Sequence, residues 1–172
     1  MKFKALALVV LLAAFAGSAL AQTAISGTLK CPKSEDTHTV EVGDHPGHLL
    51  IVEKGSCTWS VPIEIAGLKA TAWTGADTVE ATGANAQARG YGVMTMENGD
   101  KAYARYQGTS TMAKEGTFTG EGTWSYTGGT GKLKGLKGKG TYKYSAAADG
   151  TSESQLEATY SLPEPGAAAK KK

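Results

Sequence analysis

Two runs near the C-terminal third of the chain alternate strictly between small or aromatic residues and polar ones. In residues 116–126, Phe118, Gly120, Gly122, Trp124 and Tyr126 take every second place, and Thr117, Thr119, Glu121, Thr123 and Ser125 take the others. In residues 137–144, Gly138, Gly140, Tyr142 and Tyr144 alternate with Lys137, Lys139, Thr141 and Lys143. Successive side chains of a strand point to opposite sides, so each run reads as a strand with one glycine/aromatic face and one polar face. Glycine alternating with large rings suits the inner wall of a small, sharply curved barrel: the backbone bends at glycine and rings fill the space.

The same period continues elsewhere. Residues 24–30, 37–42, 48–53, 56–61, 78–81, 89–96, 101–111 and 152–162 read as further strands, and no helix-length pattern of period 3.6 follows the N-terminal segment. Glu97-Asn98-Gly99-Asp100 and Ala148-Asp149-Gly150 are tight hairpin turns, because asparagine, aspartate and glycine accept positive φ. Thr127-Gly128-Gly129-Thr130-Gly131 is a third corner, leading into a short one-turn piece over 132–136, and in it Gly129 or Gly131 is expected to hold a positive φ. Residues 83–88 read as a loop. Residues 62–77 stay unassigned, broken by Pro62 and Gly67, with Trp73 the candidate plug of the barrel. The expectation is an all-β, antiparallel barrel of about eight strands.

The first 21 residues have a different character. Lys2 and Lys4 precede an uninterrupted apolar run over 5–16, and Ala19 and Ala21 form a small-residue cleavage pattern, which together read as a secretory signal peptide over 1–21. The run is shorter than the ~20 residues of a membrane span, no later stretch is apolar enough to cross as a helix, and Gln22 is not the cysteine of a lipid anchor. The barrel domain is then expected over 22–162, followed by a flexible Pro/Ala/Lys tail over 163–172. Without Lys2 and Lys4 the 18 basic residues fall to match the 16 acidic ones, and three of the rest are the terminal lysines, so no clustered basic face argues for nucleic acid. Lys132, Lys134, Lys137, Lys139 and Lys143 read as a solvated outer face. Cys31 and Cys57 are the only cysteines, and in an exported chain they read as a disulfide.

The corner GGTGKLKGLKG, residues 128–138, resembles the glycine-rich turn of allene-oxide-cyclase-like barrels, including plant dirigent proteins, with Gly128, Gly129, Thr130, Gly131 and Gly138 carrying the match. The wider set DHPGH, CTW, RGY, ENGD, RYQGT and GKGTY is similar to a group of small secreted bacterial proteins. The resemblance implies the barrel fold and a secreted or periplasmic place. It allows an isomerase or cyclase activity toward small lipophilic molecules, but it transfers no pocket residue, and fold alone does not assign function.

Among the residues themselves, Asp44-His45-Pro46-Gly47-His48 has a spacing in which two imidazoles can meet one metal ion, with Asp44 or Glu41 as an oxygen ligand and His38 the one remaining imidazole, and a tight turn is the plainer account. Arg89, Tyr91, Tyr103, Arg105 and Tyr106 lie on one hairpin and suit either an anionic or phenolic ligand or an outer ladder of cross-strand pairs. Trp59, Trp73 and Trp124 are candidates for the core. No nucleophile elbow and no phosphate-cradling glycine loop opening a helix occurs, so no cofactor is expected. The alternation places Gly92, Met94, Ala104, Tyr106, Gly122, Trp124 and Tyr142 on the wall of an interior cavity with no charged residue, suited to a small apolar or aromatic ligand. A paired acid/base constellation is absent from this reading. Three functions follow: a secreted ligand-binding barrel, a cyclase-type enzyme, or a filled barrel with a structural role.

Overall fold

The computed structural model describes residues 22–34, 36–113 and 115–163. The expected signal segment and all but Pro163 of the expected tail lie outside them. Ten strands follow one another: β1 (Thr23–Cys31), β2 (Asp36–Glu41), β3 (His48–Val61), β4 (Glu64–Ile65), β5 (Leu68–Thr82), β6 (Asn85–Met96), β7 (Lys101–Met112), β8 (Phe118–Gly129), β9 (Lys137–Ala146) and β10 (Ser152–Ser161). All pairings are antiparallel, and eight strands form a closed ring in the order β1-β10-β9-β8-β7-β6-β5-β3, with β3 returning to β1. The barrel expected from the alternation is the one the chain forms.

Three boundaries differ from the sequence expectation. The two runs 48–53 and 56–61 are one strand, because Gly55 keeps its place opposite Gly75 and interrupts nothing. The unassigned stretch 62–77 is mostly β5, and residues 85–88, expected as loop, begin β6. There Asn85-Ala86-Gln87-Ala88 pairs on both sides, with β5 and with β7, so ladder hydrogen bonds override weak local strand preference.

Rings and glycines interlock inside the barrel. A Cβ at Gly92 would run into the Trp73 ring, one at Gly90 into Tyr106, and ones at Gly108 and Gly122 into Tyr142. Each ring on one strand therefore takes the volume that a neighbouring strand vacates. One end of the barrel is sealed: Ile63, Ile65, Met94, Met96, Ala102, Leu133 and Leu136 are almost completely buried there. The GGTG corner makes part of this seal. Thr130 Oγ1 accepts from Lys101 N (2.9 Å), Asp100 Oδ2 accepts from Lys132 N (3.0 Å), and a short 3-10 turn, Gly131–Leu133, drives Leu133 inward. Of the two glycines expected at positive φ, Gly131 holds it, at 50°. Gly129 is needed for another reason: a Cβ there would press on the Leu133 and Lys101 carbonyls.

The ring closes at its thinnest ladder. β1 meets β3 at only Thr28–Val61, Leu29–Trp59 and Lys30–Thr58, with a bulge between Thr28 and Leu29. The Cys31–Cys57 disulfide lies directly beside these pairs. β2 continues along the other half of β3, with all six of its residues exposed.

Two outcomes follow. Removing the disulfide with Cys31→Ser/Cys57→Ser should lower stability by about 3.5 kcal/mol on the loop-entropy account, read from denaturant midpoints. A loss below about 1 kcal/mol would show that the seam holds without it. Gly92→Ala should cost about 1–3 kcal/mol by overpacking against Trp73. In a Trp73→Leu background the same change should cost much less, and equal costs in both backgrounds would exclude ring–glycine interlocking at that pair.

Candidate functional site

Burial along the inward rows runs in one direction. On β6, Ala86 and Ala88 are partly exposed while Gly90, Gly92, Met94 and Met96 are buried. On β7, Ala102 and Ala104 are buried while Tyr106, Gly108 and Ser110 are partly exposed. On β8, Trp124 and Tyr126 are buried while Phe118, Gly120 and Gly122 are partly exposed. The barrel is thus packed solid at the corner end and opens into a cup at the other. Val79, Ala81, Ala86, Ala88, Ser110 and Gly120 supply small walls to the cup, and Tyr142 and Tyr144 supply rings.

A pair of carboxylic acids lies at the level where cup meets packed core. Glu53 on β3 stands opposite Asp77 on β5 in register. The Tyr106 hydroxyl, on β7, donates to Asp77 Oδ2 at 2.7 Å. It reaches across β6 because the intervening residue in the row is Gly90, where any Cβ would meet both Asp77 Cβ and the Tyr106 ring. The second oxygen, Asp77 Oδ1, is buried, and the facing Glu53 carboxyl is the other group that hydrogen-bonds Asp77.

Both acids are shifted upward. Burial raises Glu53, and the charge and hydrogen bonding of Asp77 add to that. Burial also raises Asp77, opposed by hydrogen bonds from Tyr106 and Glu53. Burial, then the nearby Asp77 carboxylate, pushes Tyr142 up to about 12. Tyr106 rises well above the ordinary phenol range for the same two reasons. Burial disfavours the charged form of each, and the contact between the two carboxyls couples their titration.

These acids correct the sequence expectation of a charge-free wall and of no paired acids. The signal was present: Trp73, Gly75, Asp77, Val79 and Ala81 keep one parity, as do Ile51, Glu53, Gly55 and Cys57. Residues 62–77 had no assigned strand, so Asp77 had no face. Of the expected wall, Tyr106, Gly122 and Tyr142 border the cup. Gly92, Met94, Ala104 and Trp124 lie below its floor in the packed core, where Trp73 covers Gly92 and the Trp124 indole donates to the Thr141 carbonyl at 3.2 Å. The arginine/tyrosine group is split by the strand period. Tyr106 points in, whereas Arg89, Tyr91, Tyr103 and Arg105 are exposed on the outside, with Tyr91 paired to Arg105. Two depressions are lined mainly by such outward residues, Gln107, Thr123 and Thr141 among them, and the second also takes in Val79, Ala88, Gly122 and Tyr142 of the cup wall.

The histidine segment forms the β2–β3 turn beside the rim. Asp44 Oδ1 lies 2.7 Å from His48 Nδ1 and 3.1 Å from His45 Nδ1, and His48 Nε2 lies 3.2 Å from Glu80 Oε1. The hydrogen bond to Asp44 raises His48, and the bond from His48 lowers Asp44. His38 sits apart, against Asp36. Glu41, the other expected oxygen ligand, is exposed at the end of β2.

No family model matches the chain, and no curated protein matches it. Among solved structures it is similar to the pterocarpan synthase dirigent protein GePTS1, with 12% identity and a TM-score of 0.40 over 83% of this chain and 89% of that one. At that level the likeness says nothing of activity.

The upward-shifted acids make a pH prediction. A carboxyl raised in the folded state favours folding below its unfolded value and loses that contribution as pH climbs through the folded one. The Glu53–Asp77 contribution should therefore fall from about pH 4 upward, starting from ordinary values of 4.5 and 3.8. Asp44, Asp100 and Asp149 are lowered and act oppositely, losing stability as pH falls. The difference in melting temperature between Asp77→Asn and the parent should thus grow in favour of the variant between pH 4 and 8. A difference that is flat with pH would exclude a shared buried proton.

Proposed function

We propose that this barrel is exported to an oxidising compartment and there binds a small, mostly apolar or aromatic molecule carrying one hydrogen-bond donor. The site is the cup, with the Glu53–Asp77 pair as its polar anchor. The observation that carries the reading is the half-buried Glu53–Asp77 pair, in which Asp77 is bonded only by Tyr106 and the facing Glu53, beside a wall of alanine, glycine and tyrosine. A hydrogen bond from a ligand hydroxyl or amine to such a carboxylate contributes about 1.5–3 kcal/mol. Mostly apolar walls with few polar anchors are the usual make-up of small-molecule sites. The disulfide, and the absence of any helix among the described residues long and apolar enough to cross a membrane, support the compartment.

A second reading rests on the raised acids themselves. A carboxyl pair that holds one proton, with a tyrosine hydroxyl on one member, is suited to moving a proton on and off a bound molecule, as an isomerase or cyclase requires.

A phenol and its methyl ether distinguish these ideas. Calorimetric or NMR titration with 4-methylphenol and 4-methylanisole should show the phenol binding about tenfold tighter, and Asp77→Asn should erase that preference while the β spectrum is kept. Equal affinities in the parent, or no saturable binding by either, would remove the anchored-ligand reading. For the enzymatic reading, a bound compound should be converted by the parent and bound without conversion by Glu53→Gln. Conversion by both would exclude the pair.

A further inference from the structure

A second centre stands on the rim, separate from the acid pair and independent of what the cup binds. The chain turns from β2 into β3 through residues 42–47. Pro46 restricts the backbone, Gly47 holds a φ of 75°, and His48 N donates back to the His45 carbonyl at 3.3 Å. The turn is also tied to its neighbour, with Gly83 N donating to the Gly47 carbonyl at 3.4 Å. The two histidines are thereby folded onto the same side, with ring centroids 4.8 Å apart.

Their ring nitrogens converge on one oxygen. His45 Nδ1 and His48 Nδ1 stand 3.1 and 2.7 Å from Asp44 Oδ1, and one ligand atom from each of the three residues falls within 4.8 Å of the others. Metal–ligand bonds of about 2.0–2.1 Å at tetrahedral angles require ligand atoms about 3.3 Å apart. The three groups reach that spacing with small side-chain adjustments.

Glu80 supplies an independent observation. It comes from β5, and its carboxylate holds His48 Nε2 at 3.2 Å. Metal-bound histidines characteristically donate their far N–H to a carboxylate, which fixes the tautomer and aims the other nitrogen at the ion. With Nε2 carrying the proton for Glu80, His48 Nδ1 presents a lone pair toward Asp44 Oδ1, another acceptor. Two acceptors 2.7 Å apart are stable only with a positive species between or beside them. A proton on His48 is one such species, and a divalent ion held by both histidines and Asp44 is the other. Access is open, since the side chains of His45 and Asp44 are 49% and 55% exposed while His48 is only 14% exposed.

We propose that Asp44, His45 and His48 form a binding site for one borderline divalent transition-metal ion, copper(II) or zinc(II), with Glu80 as the positioning residue for His48. Two imidazoles and a carboxylate suit these ions, and three protein ligands leave a coordination position for water or an external ligand. Affinity should follow copper(II) above zinc(II), as for nitrogen and oxygen ligands generally.

The test uses the exported chain with its disulfide intact, freed of metal with a chelator and titrated with zinc chloride or copper sulfate. Native mass spectrometry and calorimetry should show one equivalent bound. His45→Ala, which removes an exposed side chain, should weaken binding at least tenfold, as should His48→Ala. Glu80→Gln should weaken it about 10–100-fold, and His38→Ala should leave it unchanged. The copper(II) electron paramagnetic resonance spectrum should show two nitrogen ligands in the parent and one in His45→Ala. Absence of saturable one-to-one binding would overturn the proposal. So would binding unaltered by His45→Ala, or binding lost equally in His38→Ala. If His48→Ala loses its β spectrum, His45→Ala decides the matter alone.

Discussion

A steric constraint organises this protein: within the barrel, a ring on one strand occupies the space a side chain on the next strand would need. Trp73 over Gly92, Tyr106 over Gly90, and Tyr142 over Gly108 and Gly122 are the repeated instances. Strong curvature of the sheet brings inward side chains into collision, and glycine is the residue that yields. The same contacts fix register, because a one-residue slip would turn every ring outward and set lysine and glutamate inside.

The interlock runs from the packed end of the barrel up into the walls of the cup. Where Met94, Met96, Leu133 and Leu136 meet, the interior is sealed. Toward the opposite rim β6 and β7 present alanine, glycine and serine, with Phe118, Tyr142 and Tyr144 from β8 and β9, and the walls stay partly exposed. The Glu53–Asp77 pair stands at the boundary. Its burial raises both carboxyls, and it borders the cup. A buried carboxyl pair is costly unless its atoms are satisfied, and Tyr106 and Glu53 are the groups that bond Asp77. Gly90 has a double role here, since its missing side chain both admits the Tyr106 ring and lets the hydroxyl reach across a strand.

The rim carries different chemistry. β2 and the first half of β3 extend beside the ring, and their turn gathers Asp44, His45 and His48 where Glu80 of β5 can hold one imidazole from behind. The cup floor and this turn share β3 and β5, with Glu53 and His48 on one and Asp77 and Glu80 on the other. The alternation sends Asp77 inward and Glu80 outward, so two acids of one strand face different surroundings.

Strand alternation, turn chemistry and the cysteine count together determined the class of fold, the faces of β7, β8 and β9, the turns at Asn98-Gly99 and Asp149-Gly150, and the pairing of two cysteines. These depend on period, on turn chemistry and on there being one possible disulfide, all local or countable properties. The acid pair was readable by parity only once β5 had a face, and its broken start at Pro62 and Gly67 hid that face. Tertiary structure alone decided the rest. The position of the cup depends on which end Leu133 and Ile63 seal, and sequence distance does not encode this. That Tyr106 meets Asp77 across Gly90, and that Glu80 comes up behind His48, follows from the register of β3, β5, β6 and β7. That register sets residues 29 and 32 positions apart within hydrogen-bonding distance.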